Sequence, residues 1–169
     1  VNVPVVVSLM HDQDQKILPF WLKNSGFQKT SLLVKNEEYT YEVWQKKFEK
    51  GNIALGINGF DKHRPVYFVS VGPQRKEDKV HISNVFPGNQ HLETLKTGAF
   101  TYHDWDELTL TEVPATLQGQ ALLTTVRGRA REAHLVKAFR QTPYPSTPKP
   151  DQLLLTWSGD PATTMDVQW

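Results

Sequence analysis

Glu107-Leu108-Thr109-Leu110-Thr111-Glu112-Val113 alternates apolar and polar side chains with a period of two. That period places Leu108 and Leu110 on one face of a β-strand, with Val113 as a further core candidate. Glu107, Thr109 and Thr111 fall on the opposite face. The same reading extends outward in both directions. Downstream, residues 121–126 and 134–139 are short strand candidates, joined by a basic connection at 127–131. Upstream, residues 3–9 are β-branched, and Pro4 near their start suits an edge or first strand. Residues 53–57 and 66–71 read as strands around the Asn58-Gly59-Phe60-Asp61 turn region, and 79–85 as a strand carrying Val80 and Ile82. Residues 31–34 and 38–41 flank Lys35-Asn36-Glu37 as a hairpin. The apolar run at 17–22 is broken by Pro19 and ended by the Asn24-Ser25-Gly26 turn signal.

One segment breaks the β pattern. Tyr41, Trp44 and Phe48 recur at helical spacing and Gly51-Asn52 supplies a stop, so the spacing predicts a short amphipathic helix over 41–50. Many short strands with turn signals and one helix predict a mostly β fold, a sandwich or jelly-roll-like domain with one short helix. Residues 141–150 hold four prolines in ten positions and read as a semi-rigid spacer. The boundaries are therefore a β-rich domain over 1–140, a linker over 141–150 and a second unit from 151.

Composition narrows the function classes. The 169 residues carry 19 basic and 18 acidic side chains, a net charge of +1, which offers no electrostatic footprint for nucleic acid. With no cysteine, disulfides, thiolate zinc sites and cysteine catalysis are excluded. No apolar run approaches the roughly 20 residues of a membrane-spanning helix. The first nine residues lack the basic flank of a secretory signal.

Four segments hold side chains able to do chemistry. Arg127, Arg129 and Arg131 alternate with Gly128 and Ala130, so in an extended chain they form a basic stripe suited to a phosphate, a carboxylate or an acidic neighbouring domain. Charges that block edge-to-edge pairing are the simpler reading of that stripe. Tyr102-His103-Asp104-Trp105-Asp106 sets an imidazole among carboxylates and aromatics. Such a group suits acid–base work or stacking on a sugar ring, against a turn anchored by buried Phe100 and Trp105. His11-Asp12-Gln13-Asp14 offers ligand atoms for a hard cation, but strand alternation splits them between two faces, and a solvated loop is the favoured reading. Asp61, His63 and Arg64 lie in a loop that reads first as a structural turn. Gly56-x-x-Gly59 lacks the Lys-Ser/Thr of a phosphate-binding loop, and no Gly-x-Ser-x-Gly or His-Glu-x-x-His occurs.

The last twenty residues, Pro150-Asp-Gln-Leu-Leu-Leu-Thr-Trp-Ser-Gly-Asp-Pro-Ala-Thr-Thr-Met-Asp-Val-Gln-Trp169, read as strand, Gly159-Asp160-Pro161 turn and strand. This stretch resembles the opening of the fibronectin-III-like N-terminal domain of purple acid phosphatases. In that family the domain precedes a metallophosphoesterase domain. The resemblance implies that residues 151–169 are the truncated start of a fibronectin-III-like domain. The parent would be a secreted or periplasmic hydrolase of phosphate monoesters, with a dinuclear metal centre (iron with iron, zinc or manganese). It further implies that the catalytic domain of the same polypeptide is the partner of residues 1–140. The family's metal-ligand blocks do not match any position here. Gly159-Asp160 is followed by Pro161, Ala162 and Thr163, so the tyrosine of Gly-Asp-x-x-Tyr is missing, and Gly88-Asn89 meets Gln90 before His91. None of the six histidines follows a valine by three residues or forms His-x-His. Residues 1–169 therefore read as non-catalytic, with no metal or cofactor of their own. The alternative is a stand-alone β-sandwich binding module for carbohydrate, built on the loop around Tyr102, His103, Asp104 and Trp105, with homo-oligomer contact as a further expectation.

Overall fold

The computed structural model describes residues 1–56, 67–86, 90–103, 106–125, 154–156, 159–160, 162–163 and 166–168. The chain divides into two compact units, Val1–Ala138 and Phe139–Trp169.

Eight strands build the first unit: β1 Val5–Asp12, β2 Gln28–Asn36, β3 Thr40–Phe48, β4 Phe68–Pro73, β5 Gln90–Thr94, β6 Phe100–His103, β7 Asp106–Glu112 and β8 Ala121–Thr125. They form one antiparallel sheet in the order β5-β8-β4-β1-β3-β2-β7-β6. The two strands at the ends of that order, β5 and β6, are consecutive in sequence and joined by residues 95–99 alone. Laid flat, eight strands would separate those edges by about 34 Å, seven gaps of about 4.8 Å. The link from residue 94 to residue 100 reaches at most about 21 Å. The sheet must therefore curl. The result is a mostly β, sandwich-like body, as the spacing of strand signals predicts.

The curl creates an inside and an outside, and β1 at its centre is buried on both. Met10 joins Val34, Tyr41, Val43, Phe68, Leu95, Ala99, Leu110, Leu117 and Leu122 in the interior cluster. Val5, Val7 and Leu9 point the other way, into a second cluster with Leu22, Phe27, Val69 and Val71. Two-sided burial explains why β1 reads as a nearly continuous apolar run. Leu108 and Leu110 of β7 turn inward, and Val113 packs against the interior cluster.

The helix expected over 41–50 is a strand. Among the described residues the one helical element is a single 3-10 turn, Leu22–Asn24. β3 lies between β1 and β2 in the sheet, and each of its faces packs against one of the two clusters. Tyr41 and Val43 face the interior, while Trp44 and Phe48 face the outer cluster. Apolar residues on both faces of a central strand produce, by coincidence, the spacing of a helical stripe.

Other boundaries also move. The 31–34/38–41 hairpin exists, with its strands lengthened to β2 and β3. Residues 53–56 are not a strand, and 79–85 lie outside the sheet, with a bend at Asn84 where φ is +53°. Val80 and Ile82 nevertheless pack on the outer cluster, which accounts for their alternation. β5 and β6 have no counterpart in the sequence reading. Residues 134–139 lie outside the described residues.

In the second unit, β9 Leu154–Thr156 pairs antiparallel with β10 Asp166–Gln168 in the register Thr156↔Asp166, Leu155↔Val167, Leu154↔Gln168. Between them Asp160 builds a turn: its carboxylate accepts from the Ala162 N–H at 2.9 Å, and its carbonyl from the Thr163 N–H at 3.0 Å.

Candidate functional site

A groove of about 590 Å³ runs over the outer face of the first unit. Its floor comes from Val71 of β4, Ala121 of β8 and Leu92 and Thr94 of β5, and its wall from residues 78–82. Each boundary has a local cause. Pro73 ends β4, and a tight turn follows in which the Asp78 N–H donates to the Arg75 carbonyl at 3.1 Å. The Arg75 guanidinium bonds the Asp78 carboxylate at 3.1 Å across the same turn. The chain then runs extended, held by Asn2. The Asn2 amide donates to the Lys79 carbonyl at 3.1 Å and accepts from the His81 N–H at 2.6 Å. One side chain thus bonds two alternate peptide groups, as a neighbouring strand would.

Two glycines shape the chain around Gln120. Gly119 has φ +83°, in the left-handed region that favours glycine, and turns the chain into β8. A Cβ on Gly72 would lie 2.7 Å from the Gln120 side chain, so glycine is what lets Gln120 lie across β4. There Gln120 accepts from the Ser70 hydroxyl at 2.9 Å and donates to the Thr116 carbonyl at 3.2 Å. Lys79 and His81 are exposed on one side of the groove. On the opposite face of β5, the Glu93 carboxylate accepts from the Phe100 N–H at 3.2 Å, tying edge strand β5 to edge strand β6. The groove mixes apolar residues with polar and charged ones in nearly equal number.

The interior holds a second polar group. Asn36, at the end of β2, accepts from the N–H groups of Glu38 at 3.0 Å and Tyr39 at 2.7 Å, closing the β2–β3 turn. Its amide donates inward to the Tyr41 hydroxyl at 3.0 Å and to Thr101 Oγ1 at 3.3 Å. Thr101 passes its own proton to the Leu108 carbonyl at 3.2 Å. Burial, reinforced by the nearby Asp12 carboxylate, pushes the Tyr41 hydroxyl well above its usual range, although the Asn36 bond pulls it down. The Ser8 hydroxyl accepts from Gln45 at 2.9 Å. Ser8 and Ser70 are fully buried and bonded, which keeps both from acting as accessible nucleophiles. This group holds the fold rather than a ligand.

The segments singled out in sequence fare differently. His11 and Asp12 are buried at the end of β1, so the expected solvated loop is corrected for them; Gln13 and Asp14 are exposed. Asp12 Oδ1 accepts from the Asp14 N–H at 2.9 Å, a turn-forming bond. Tyr102 and His103 lie on β6, with His103 opposite Asp106 in the β6–β7 pairing. Phe100 is 57% exposed on the same strand, not the buried anchor expected of it. Asp104, Trp105, Arg127, Arg129, Arg131, Asp61, His63 and Arg64 lie outside the described residues. Among the described residues no three His, Asp or Glu side chains converge as a metal site. The groove itself was not anticipated; its one sequence signal is the Val80/Ile82 alternation. No known protein family, no curated protein and no solved structure matches the chain.

Proposed function

We propose that the chain is the non-catalytic N-terminal region of a purple acid phosphatase-like metallophosphoesterase. Residues 1–140 act as a β-rich accessory domain, and 151–169 open a fibronectin-III-like domain. The observation that carries this reading is the resemblance of residues 150–169, supported by the antiparallel β9–β10 hairpin and its Asp160 turn. In this reading the parent enzyme works outside the cytoplasm and hydrolyses phosphate monoesters at two metal ions held by its catalytic domain. The first unit packs beside that domain and shapes access to it. A two-metal site needs ligands on both ions to stabilise the attacking and leaving oxygens, and the family's ligand blocks have no match in this sequence.

The test is hydrolysis of p-nitrophenyl phosphate with iron, zinc or manganese. The 169-residue chain should give no turnover above a metal-only blank, while the full product of its reading frame should turn over. Metal-dependent turnover by the 169-residue chain, or a full product lacking dinuclear phosphatase activity, would sink the proposal. Specific retention of the chain on one polysaccharide would assign it to carbohydrate binding instead.

A further inference from the structure

We propose that the outer-face groove is a strand-accepting site, taking an extended peptide segment of a partner protein that has apolar side chains at alternate positions. Segment 79–82 is not a strand of the sheet, but among the described residues its backbone is bonded along one edge only. Asn2 bonds the Lys79 carbonyl and the His81 N–H. In an extended chain the peptide groups of successive residues point to opposite edges. Those of Val80 and Ile82 therefore point away from Asn2. Among the described residues, no backbone group bonds either of them. Asn2 is not part of the groove, whereas Val80, His81 and Ile82 line it, so the unpaired edge runs beside the cavity.

The rest of the groove suits the same occupant. An added strand gains main-chain hydrogen bonds from an open edge and selectivity from pockets under alternate side chains. Val71, Ala121 and Leu92 supply an apolar floor for those side chains. Leu92 is 44% exposed, in a position where an incoming side chain would cover it. A sugar or a nucleotide could meet one of these peptide groups, but an extended backbone matches the repeat of Val80 and Ile82 along the edge, which is why it is the ligand chemistry the site favours.

The experiment uses the whole chain and the probe acetyl-Thr-Val-Thr-Val-Thr-Val-Thr-amide at up to about 1 mM. Amide hydrogen exchange is followed by NMR. In the free protein the His81 amide, bonded to Asn2, should exchange slowly, and those of Val80 and Ile82 quickly. With the probe, Val80 and Ile82 should slow by about ten-fold or more, the protection expected of a formed strand bond. A probe N-methylated on alternate residues should have no effect. Leu92→Lys, at an exposed floor position, should abolish the protection while leaving the thermal midpoint unchanged. The proposal is overturned by no protection at about 1 mM probe, by equal protection from the N-methylated probe, or by equal protection in Leu92→Lys. Protection that appears without probe and grows with protein concentration would also overturn it, by making a second copy of the chain the occupant.

Discussion

Replacing Asn36 by alanine should be among the most damaging single changes to a polar residue of the first unit. Asn36 makes four hydrogen bonds: two to turn N–H groups and two into the interior. Alanine removes all four. The Glu38 and Tyr39 N–H groups are partly accessible to water, so their loss costs about 1 kcal/mol together or slightly more. The inward pair is worse. The Tyr41 hydroxyl and Thr101 are buried, and no water replaces the missing donor. Leaving buried acceptors short of a partner costs about 1–3 kcal/mol. The total is about 2–4 kcal/mol, a fall in Tm of about 5–15 °C for a chain of this size. Urea unfolding followed by tryptophan fluorescence would measure it. Tyr41→Phe alone should cost about 1–2 kcal/mol, because Asn36 keeps its turn bonds. The double variant should cost less than the sum, with a coupling energy of about 1 kcal/mol. If Asn36→Ala costs under about 1 kcal/mol, or the two changes add fully, the Asn36–Tyr41–Thr101 network does not tie the β2–β3 turn to β6.

Three further outcomes follow from the packing. Burial pushes the Tyr67 hydroxyl up to about 12; because the folded value is raised, its contribution is fully present below pH about 10 and lost as pH climbs through 12, a decline of about 3 kcal/mol that Tyr67→Phe should diminish in alkaline unfolding curves. Gly72→Ala should displace Gln120 and break its bond to Ser70, costing about 1–3 kcal/mol in denaturant unfolding; a neutral result would mean that Gln120 relocates freely. Leu122→Ala, at a fully buried interior position, should cost about 2–5 kcal/mol by opening a cavity in the curl, read as a lowered urea midpoint with an unchanged slope.

What the sequence revealed depended on how many faces of a strand are buried. β7 has one face inward and one outward, so Leu108 and Leu110 announce it directly. β3 has both faces buried, and its apolar residues at 41, 43, 44 and 48 blur the period of two into that of a helix. β5, Gln90-His91-Leu92-Glu93-Thr94, is an edge strand with a single apolar residue, and that one is exposed. No hydrophobic pattern could reveal it; it is a strand because β8 offers an edge to pair with. The extended segment at 79–82 was legible as alternation, yet its partner is the Asn2 side chain, 77 positions away in sequence at the Lys79 bond. Pairing with a side chain leaves no trace in periodicity, which is why the groove beside it went unread.

The same asymmetry explains where the first unit can interact. Inside the curl, Asn36, Thr101, Ser8 and Ser70 have their side chains bonded to one another, to neighbouring side chains or to backbone groups. A ligand entering there would break bonds whose replacement it must supply. On the outer face, segment 79–82 rests on the core through Val80 and Ile82 and is bonded along one edge. Its other edge offers peptide groups that a ligand can satisfy at no cost to the fold. In the strand-accepting site proposed above, the chemistry of recognition therefore comes from the backbone and not from a cluster of reactive side chains.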